Sequence, residues 1–102
     1  MRYNDRSLHS VALGLFETIE ADGEKLVSTT VYVTLSSADG KGAGPGIQIN
    51  LAFEADETTS FATAKAMSTK LAYEMIQRLA RETPETFTAA ADKEPIFRTV
   101  AN

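Results

Sequence analysis

The sequence IQINLAFEADETTSFATAKAMSTKLAYEMIQRLARE, residues 47–82, changes its hydrophobic period once, near Ala55. Before that point every second residue is apolar, which predicts a strand over residues 47–55 with one buried face. Beyond it apolar residues recur at helical spacing, which predicts one long helix over residues 57–82 with Asp56 as its N-cap. The apolar stripe of this helix comprises Phe61, Ala64, Ser68, Leu71, Ala72, Met75, Ile76 and Leu79. Two periods in succession indicate an α+β fold.

Two more strands are predicted upstream of this stretch. Residues 25–37 alternate β-branched apolar residues with hydroxyl residues, as half-buried strands do. Residues 8–20 alternate less regularly, and we expect them to place Val11, Leu13, Leu15 and Ile19 on the buried face. Asp22-Gly23 lies between these two strands and is typical of a tight hairpin turn. The three strands therefore form an antiparallel meander, because strands that follow one another usually pair.

The predicted lengths indicate how the elements pack. A helix over residues 57–82 is about 39 Å long, and a twelve-residue strand is about 40 Å long. One helix can therefore cover the whole apolar face of the sheet in a two-layer arrangement, and we expect residues 1–102 to form a single domain. In the tail, residues 83–102, Thr83-Pro84 predicts a short helix over residues 84–92. Residues 96–100 are left as a fourth strand, a swapped arm or a disordered tail.

The composition excludes several classes of function. The apolar fraction of 43% and the charged fraction of 24% are those of a globular protein. A net charge of −4 disfavours nucleic-acid binding, and the absence of cysteine excludes disulfides and thiolate chemistry. The longest apolar run, residues 11–16, is too short to span a membrane or to form a signal peptide. We expect a cytoplasmic protein without a metal or another cofactor.

The glycine-rich loop, ADGKGAGPG at residues 38–46, is the first candidate binding site. It lacks the Ser or Thr that a P-loop needs after its lysine, and Pro45 stands where the third glycine of the dinucleotide fingerprint would fall. The leading interpretation is a flexible hairpin connection. The alternative is a mobile binding loop formed by Lys41, Gly42 and Gly44.

Two ionisable residues are weak candidates for catalysis. His9 is the one histidine of the chain, and no cysteine or second histidine is available to complete a metal site around it. Glu17 would face the helix if its strand kept its register, and a buried carboxylate is what general acid–base catalysis uses. The alternatives are that Glu17 reaches water near the end of an edge strand, or that a bulge reverses its orientation.

The outer face of the sheet, away from the helix, is the strongest candidate for binding. We expect it to carry Phe16 and Tyr32 as neighbours on adjacent strands, and aromatic residues are enriched at the centres of interfaces. The unpaired edges of the meander also favour strand addition. Basic residues are scarce on this face, which argues against stacking of nucleobases.

These observations favour a small interaction or regulatory module without catalytic activity, acting as a homodimer and binding another protein. The alternative is a small enzyme or ligand-binding protein with its pocket at a subunit interface. A third hypothesis, nucleic-acid binding, is disfavoured by the negative charge. The identity of any partner and the pathway cannot be deduced from the sequence.

Overall fold

A computed structural model describes residues 2–55 and 58–91 of the chain. They form an antiparallel four-stranded sheet and two helices, and the α+β class is confirmed. The elements in chain order are β1 (Leu8–Leu13), β2 (Glu17–Ala21), β3 (Glu24–Ser36), β4 (Ala43–Glu54), α1 (Phe61–Leu79) and α2 (Pro84–Ala90).

The first predicted strand is divided into two. β1 and β2 pair in succession with one edge of β3, while β4 pairs with the other edge. Leu13 lies opposite Val31, and Glu17 lies opposite Ser28. Between these two register pairs the first strand advances by four residues, whereas β3 advances by three. This extra residue is a bulge at residues 14–16, and it reverses the face on which every later side chain of the strand lies. The meander order is kept.

The hairpin between β2 and β3 has the predicted two-residue turn. Asp22 has a φ of 51° and Gly23 a φ of 80°, the positive values that a type I′ turn requires at both central positions. Ala21 and Glu24 close the turn as a register pair. The twist of such a turn matches that of the strands it joins, so β2 and β3 can continue without splaying apart.

Helix α1 is shorter than the sequence predicts. It begins after Ser60, whose hydroxyl accepts a hydrogen bond from the backbone N–H of Thr63, and it has 19 residues. The predicted N-cap, Asp56, lies outside the described residues. At ~1.5 Å per residue the helix extends about 28 Å, whereas the 13 residues of β3 extend about 43 Å. The helix is therefore too short to cover the whole apolar face.

The core lies where α1 crosses the middle of β3 and β4. Val31, Ile49 and Ala72 are buried together, and Val31 is 0% exposed. Partly buried apolar side chains that pack against them are those of Leu13, Val33, Leu51 and Ile76. The residues of α1 that are buried are Ala64, Ser68 and Ala72, spaced four apart, and their small side chains let the helix approach the sheet closely.

Helix α2 starts at Pro84, the position that the Thr83-Pro84 pair predicts. The Thr83 hydroxyl accepts a hydrogen bond from the backbone N–H of Thr86, so Thr83 is the N-cap. The seven residues of α2 have no buried side chain. The last residue of the predicted short helix, Asp92, and the predicted fourth strand at residues 96–100 lie outside the described residues.

Candidate functional site

An apolar groove opens where the C-terminal half of α1 passes over the end of the sheet. It has a volume of 250 Å³ and is lined by Tyr3, Val33, Leu35, Pro45, Gly46, Ile47 and Ile76. Ile47 is 51% exposed although it belongs to the apolar face of β4. Met75 and Leu79, on the stripe of α1 that turns toward the sheet, are exposed as well. The groove is therefore a continuation of the core that the short helix leaves uncovered.

The N-terminal segment forms one wall of this groove because it is tied to the end of β3. The backbone N–H of Ser36 donates to the carbonyl of Ser7 at 2.8 Å, and the Arg6 guanidinium donates to the carbonyl of Ser36 at 3.2 Å. The same guanidinium lies 5.6 Å from the centre of the Tyr3 ring, close enough for a cation–π contact. These contacts hold the tyrosine ring beside Val33.

The free edge of β4 is the second surface of interest. The backbone N–H of Gly14 donates to the carbonyl of Thr30, so the backbone groups of Thr30 point toward β1. Backbone groups alternate between the two sides of an antiparallel strand, so those of Val31 point toward its partner Ile49. In the regular part of β4, residues 46–54, the even-numbered residues therefore have their N–H and C=O groups pointing away from β3; the three in the middle are Gln48, Asn50 and Ala52. No strand in residues 2–55 or 58–91 pairs with this edge.

The outer face of the sheet does not bring Phe16 and Tyr32 together, and the expectation that they are neighbours is wrong. The Phe16 ring makes an edge-to-face contact with Phe61 at the start of α1, with ring centres 5.5 Å apart. The bulge at residues 14–16 explains the difference, because it turns Phe16 to the helix side. Tyr32 does lie on the outer face, opposite Ala12 and Gln48.

Glu17 lies on the outer face, because its strand does not keep the register that would turn it toward the helix. Its register partner Ser28 is three residues from the buried Val31 and so has the opposite orientation. The bulge alternative describes the observed structure. Glu17 is exposed at the rim of an open hollow of 570 Å³ that also includes Ser28, Thr30, Tyr32 and Asn50. The Thr30 hydroxyl donates to the Asn50 side-chain oxygen at 2.8 Å. This hydrogen bond orients two of the side chains that line the hollow.

The same bulge exposes apolar side chains of the first strand. Leu15 was expected on the buried face and is 82% exposed. Ile19 lies on the outer face opposite Leu26, while Thr18 takes the helix-side position opposite Val27. His9 is exposed at a register irregularity near the start of β1, so it does not join Glu17 in the hollow.

The glycine-rich loop is held by its own hydrogen bonds. The Ser37 hydroxyl donates to the Asp39 carboxylate at 2.5 Å and accepts from the N–H of Gly42 at 3.1 Å, while the N–H of Lys41 donates to the same carboxylate at 2.9 Å. The Ser37 hydroxyl, followed by the Lys41 N–H, holds the pKa of Asp39 below its ordinary value. A Cβ on Gly44 would lie 2.4 Å from the carbonyl oxygen of Ser36, so Gly44 serves close backbone approach.

The groove is lined by no charged side chain, whereas the outer hollow includes Glu17. An ion pair joins Arg78, in the last turn of α1, to Glu82 beyond the end of the helix. Across the part of the chain that the structure describes, no group of three His, Asp or Glu residues is placed to hold a metal ion. Neither described helix is long and apolar enough to cross a membrane.

Comparison of the chain with protein-family models, with curated proteins and with solved structures finds no match. The groove, the free edge and the outer face are therefore the features from which a function can be proposed.

The sequence predicted that the sheet has unpaired edges, but it did not predict the groove. The groove lies beside Ile76 in the C-terminal half of α1, and part of its wall is Tyr3, from a segment for which no element was predicted. The start of α1 also differs from the prediction, because the cap is Ser60. A signal for the start was present, since Ser is among the residues preferred at the N-cap. The stretch from Asp56 to Ser60 contains several residues that can serve as an N-cap, so the sequence alone does not decide where the helix begins.

Proposed function

We propose that this protein is a small interaction module without catalytic activity that works as a homodimer. The observation that carries the proposal is the apolar surface left uncovered around the groove. Among the described residues five apolar side chains are buried, while twelve large ones are exposed. A domain of this size buries a modest share of its surface alone and often gains stability from a second copy.

The occupant that fits the groove best is a second copy of the chain. The residues that line the groove include no charged side chain, so a complementary surface must itself be apolar. Such surfaces are provided by this chain at the same end of the sheet, where Ile47, Met75 and Leu79 are exposed. A two-fold dimer uses one patch twice, so a self-complementary apolar patch is what it requires. The second copy would complete the two-layer cover that α1 leaves unfinished. The cytoplasmic location expected from the sequence is part of this proposal.

The test is the molar mass in solution, measured by light scattering over a range of concentrations. We expect about twice the chain mass of 11.0 kDa. Ile47→Lys places a charge in the groove and should yield a folded monomer. Leu15→Lys changes an even more exposed apolar residue outside the groove and should leave the dimer intact. A wild-type chain that stays monomeric at all concentrations would overturn the proposal.

A second candidate function is the binding of a small polar ligand in the outer hollow. The specific observation is that Glu17, Tyr32 and Asn50 line one concave surface of 570 Å³. A thermal-shift screen with metabolites tests it, since a ligand that binds only the folded state raises the unfolding temperature. Stabilisation that disappears in Glu17→Gln and persists in His9→Gln would favour this function. Stabilisation unaffected by Glu17→Gln would contradict it.

A further inference from the structure

The two edges of the sheet differ in how they resist pairing with another chain. The edge formed by β1 and β2 is interrupted by the bulge at residues 14–16 and carries Glu17 and Glu20. Bulges, short strands and charges are the devices by which proteins protect an edge. Pro45 and a register shift lie near the start of β4, but residues 46–54 are regular and contain one charged residue, Glu54 at the end. Within the described part of the chain, this stretch therefore lacks the protection that the opposite edge has.

The regular part of the β4 edge has a definite centre. The pairing of β3 with β4 is regular from Thr34↔Gly46 to Leu26↔Glu54, and a register shift separates it from Ser36↔Ala43. The regular stretch is thus residues 46–54, whose middle residue is Asn50. The N–H and C=O groups of Asn50 lie in the plane of the sheet and point away from β3, toward the free edge. A two-fold axis at Asn50 therefore falls on a position where two strands can exchange both hydrogen bonds.

We propose that β4 is a strand-addition site for the β4 of a second copy, paired antiparallel about Asn50 into one continuous sheet. This inference rests on the proposed homodimer and assigns its contact. In this register Asn50 pairs with the partner's Asn50, and Gln48 pairs with the partner's Ala52. On the helix side Ile47 lies opposite the partner's Phe53. Half-exposed Ile47 thereby gains an apolar neighbour, and the grooves of both copies open on the same face of the joined sheet.

The position of Glu54, the one charged residue of β4, favours the antiparallel arrangement. Each Glu54 lies opposite the partner's Gly46, so the two carboxylates stand about 27 Å apart at ~3.4 Å per residue. A parallel arrangement in register would place the two Glu54 side chains side by side, which is unfavourable. The pattern therefore favours a closed two-fold pair over a parallel stack.

Disulfide trapping tests the register directly, because the chain has no cysteine of its own. Residues of a hydrogen-bonded antiparallel pair have Cα atoms about 5.5 Å apart, within the range that a disulfide spans. We expect Asn50→Cys to form a covalent dimer under mild oxidation as the major product. Gln77→Cys, on an exposed position of α1, should remain uncross-linked under the same conditions.

A charge variant provides the second measurement. Asn50→Lys places two ammonium groups together at the axis, and we expect it to weaken dimerisation at least tenfold in sedimentation equilibrium, less so at high salt. Asn50→Ala should weaken it far less. Circular dichroism checks that both variants keep their secondary structure.

The outcomes separate this inference from the proposed function. A wild-type monomer would overturn both. A dimer that Asn50→Cys does not trap, and that Asn50→Lys leaves intact, would overturn the pairing of β4 while the homodimer stands. A trapped Asn50→Cys dimer together with a salt-sensitive Asn50→Lys supports both.

Discussion

At the scale of single residues, Asp39 is the side chain whose titration the structure predicts. Its carboxylate accepts hydrogen bonds from the Ser37 hydroxyl and from the Lys41 N–H, and both stabilise the charged form. The pKa of Asp39 is therefore lowered by folding. Its contribution to stability is fully present above the ordinary carboxyl pKa and is lost as the pH falls through the lowered value.

We expect a chemical-shift titration to place the pKa of Asp39 below the ordinary aspartate value, and Ser37→Ala to raise it because the largest cause is removed. Lys41→Ala keeps the backbone donor and should raise it less. An Asp39 pKa unchanged by Ser37→Ala would contradict the hydrogen-bond network of the loop.

Two glycines of the same loop differ in what a methyl group would meet. A Cβ on Gly44 would lie 2.4 Å from the Ser36 carbonyl oxygen, a backbone atom that cannot move away without disturbing β3. A Cβ on Gly42 would meet only the Ser37 Oγ at 3.8 Å, an ordinary contact. We expect Gly44→Ala to lower the free energy of unfolding by about 1–3 kcal/mol, as overpacking does, and Gly42→Ala to change it by about 0.5 kcal/mol or less.

Urea denaturation of the two variants measures this difference. Equal losses of stability would mean that Gly44 is not required for close approach to Ser36. The comparison also bears on the candidate binding loop. We expect replacement of Gly42 to leave the fold intact and replacement of Gly44 to disturb it, so a loss of binding in a Gly44 variant would not identify a contact.

At the scale of elements, α1 depends on small residues at its contact with the sheet. Ser68 is 0% exposed, and its hydroxyl donates to the Ala64 carbonyl at 2.8 Å, so no space remains for a larger side chain. Ser68→Leu should lower the free energy of unfolding by about 1–3 kcal/mol because it pushes the helix away from Val31 and Ile49. Ala66→Leu, on the exposed side of α1, should change it by about 0.5 kcal/mol or less. Equal losses of stability in thermal or urea denaturation would contradict the close packing of α1 against the sheet at Ser68.

The elements also differ in how well the sequence predicted them. Residues 27–35 of β3 and 47–53 of β4 alternate because they are half-buried, so their faces could be predicted. Residues 43–46 were predicted as part of the loop, and their place at the start of β4 corrects that prediction. The first strand could not, because a bulge adds one residue without a distinctive sequence, and Gly14-Leu15-Phe16 fits either register. That single residue moved Phe16, Glu17 and Ile19 to the opposite faces. The candidate surface built on Phe16 and Tyr32 failed for this reason, while Tyr32 alone was placed correctly.

At the scale of the whole molecule, the short helix and the free β4 edge have one common consequence. Both leave groups exposed that a monomer cannot satisfy from within residues 2–55 and 58–91: apolar side chains around Ile47, and the outward N–H and C=O groups centred on Asn50. A second copy paired along β4 would satisfy the outward backbone groups and give Ile47 an apolar neighbour, because Ile47 belongs to both the groove and the edge strand. Stability and association should therefore be linked in this protein.

This linkage predicts that the unfolding midpoint depends on protein concentration. When folding and association are coupled, mass action stabilises the dimer by RT ln of the concentration ratio, about 2.7 kcal/mol per mole of dimer for a 100-fold increase. We expect the wild-type thermal midpoint to rise by several degrees over that range. Asn50→Lys, which should weaken the pair at least tenfold, should unfold at a lower midpoint than the wild type at each concentration. Differential scanning calorimetry at two concentrations measures both proteins. A wild-type midpoint that does not move would show that the exposed apolar side chains are tolerated by a monomer, and the homodimer would have to be abandoned.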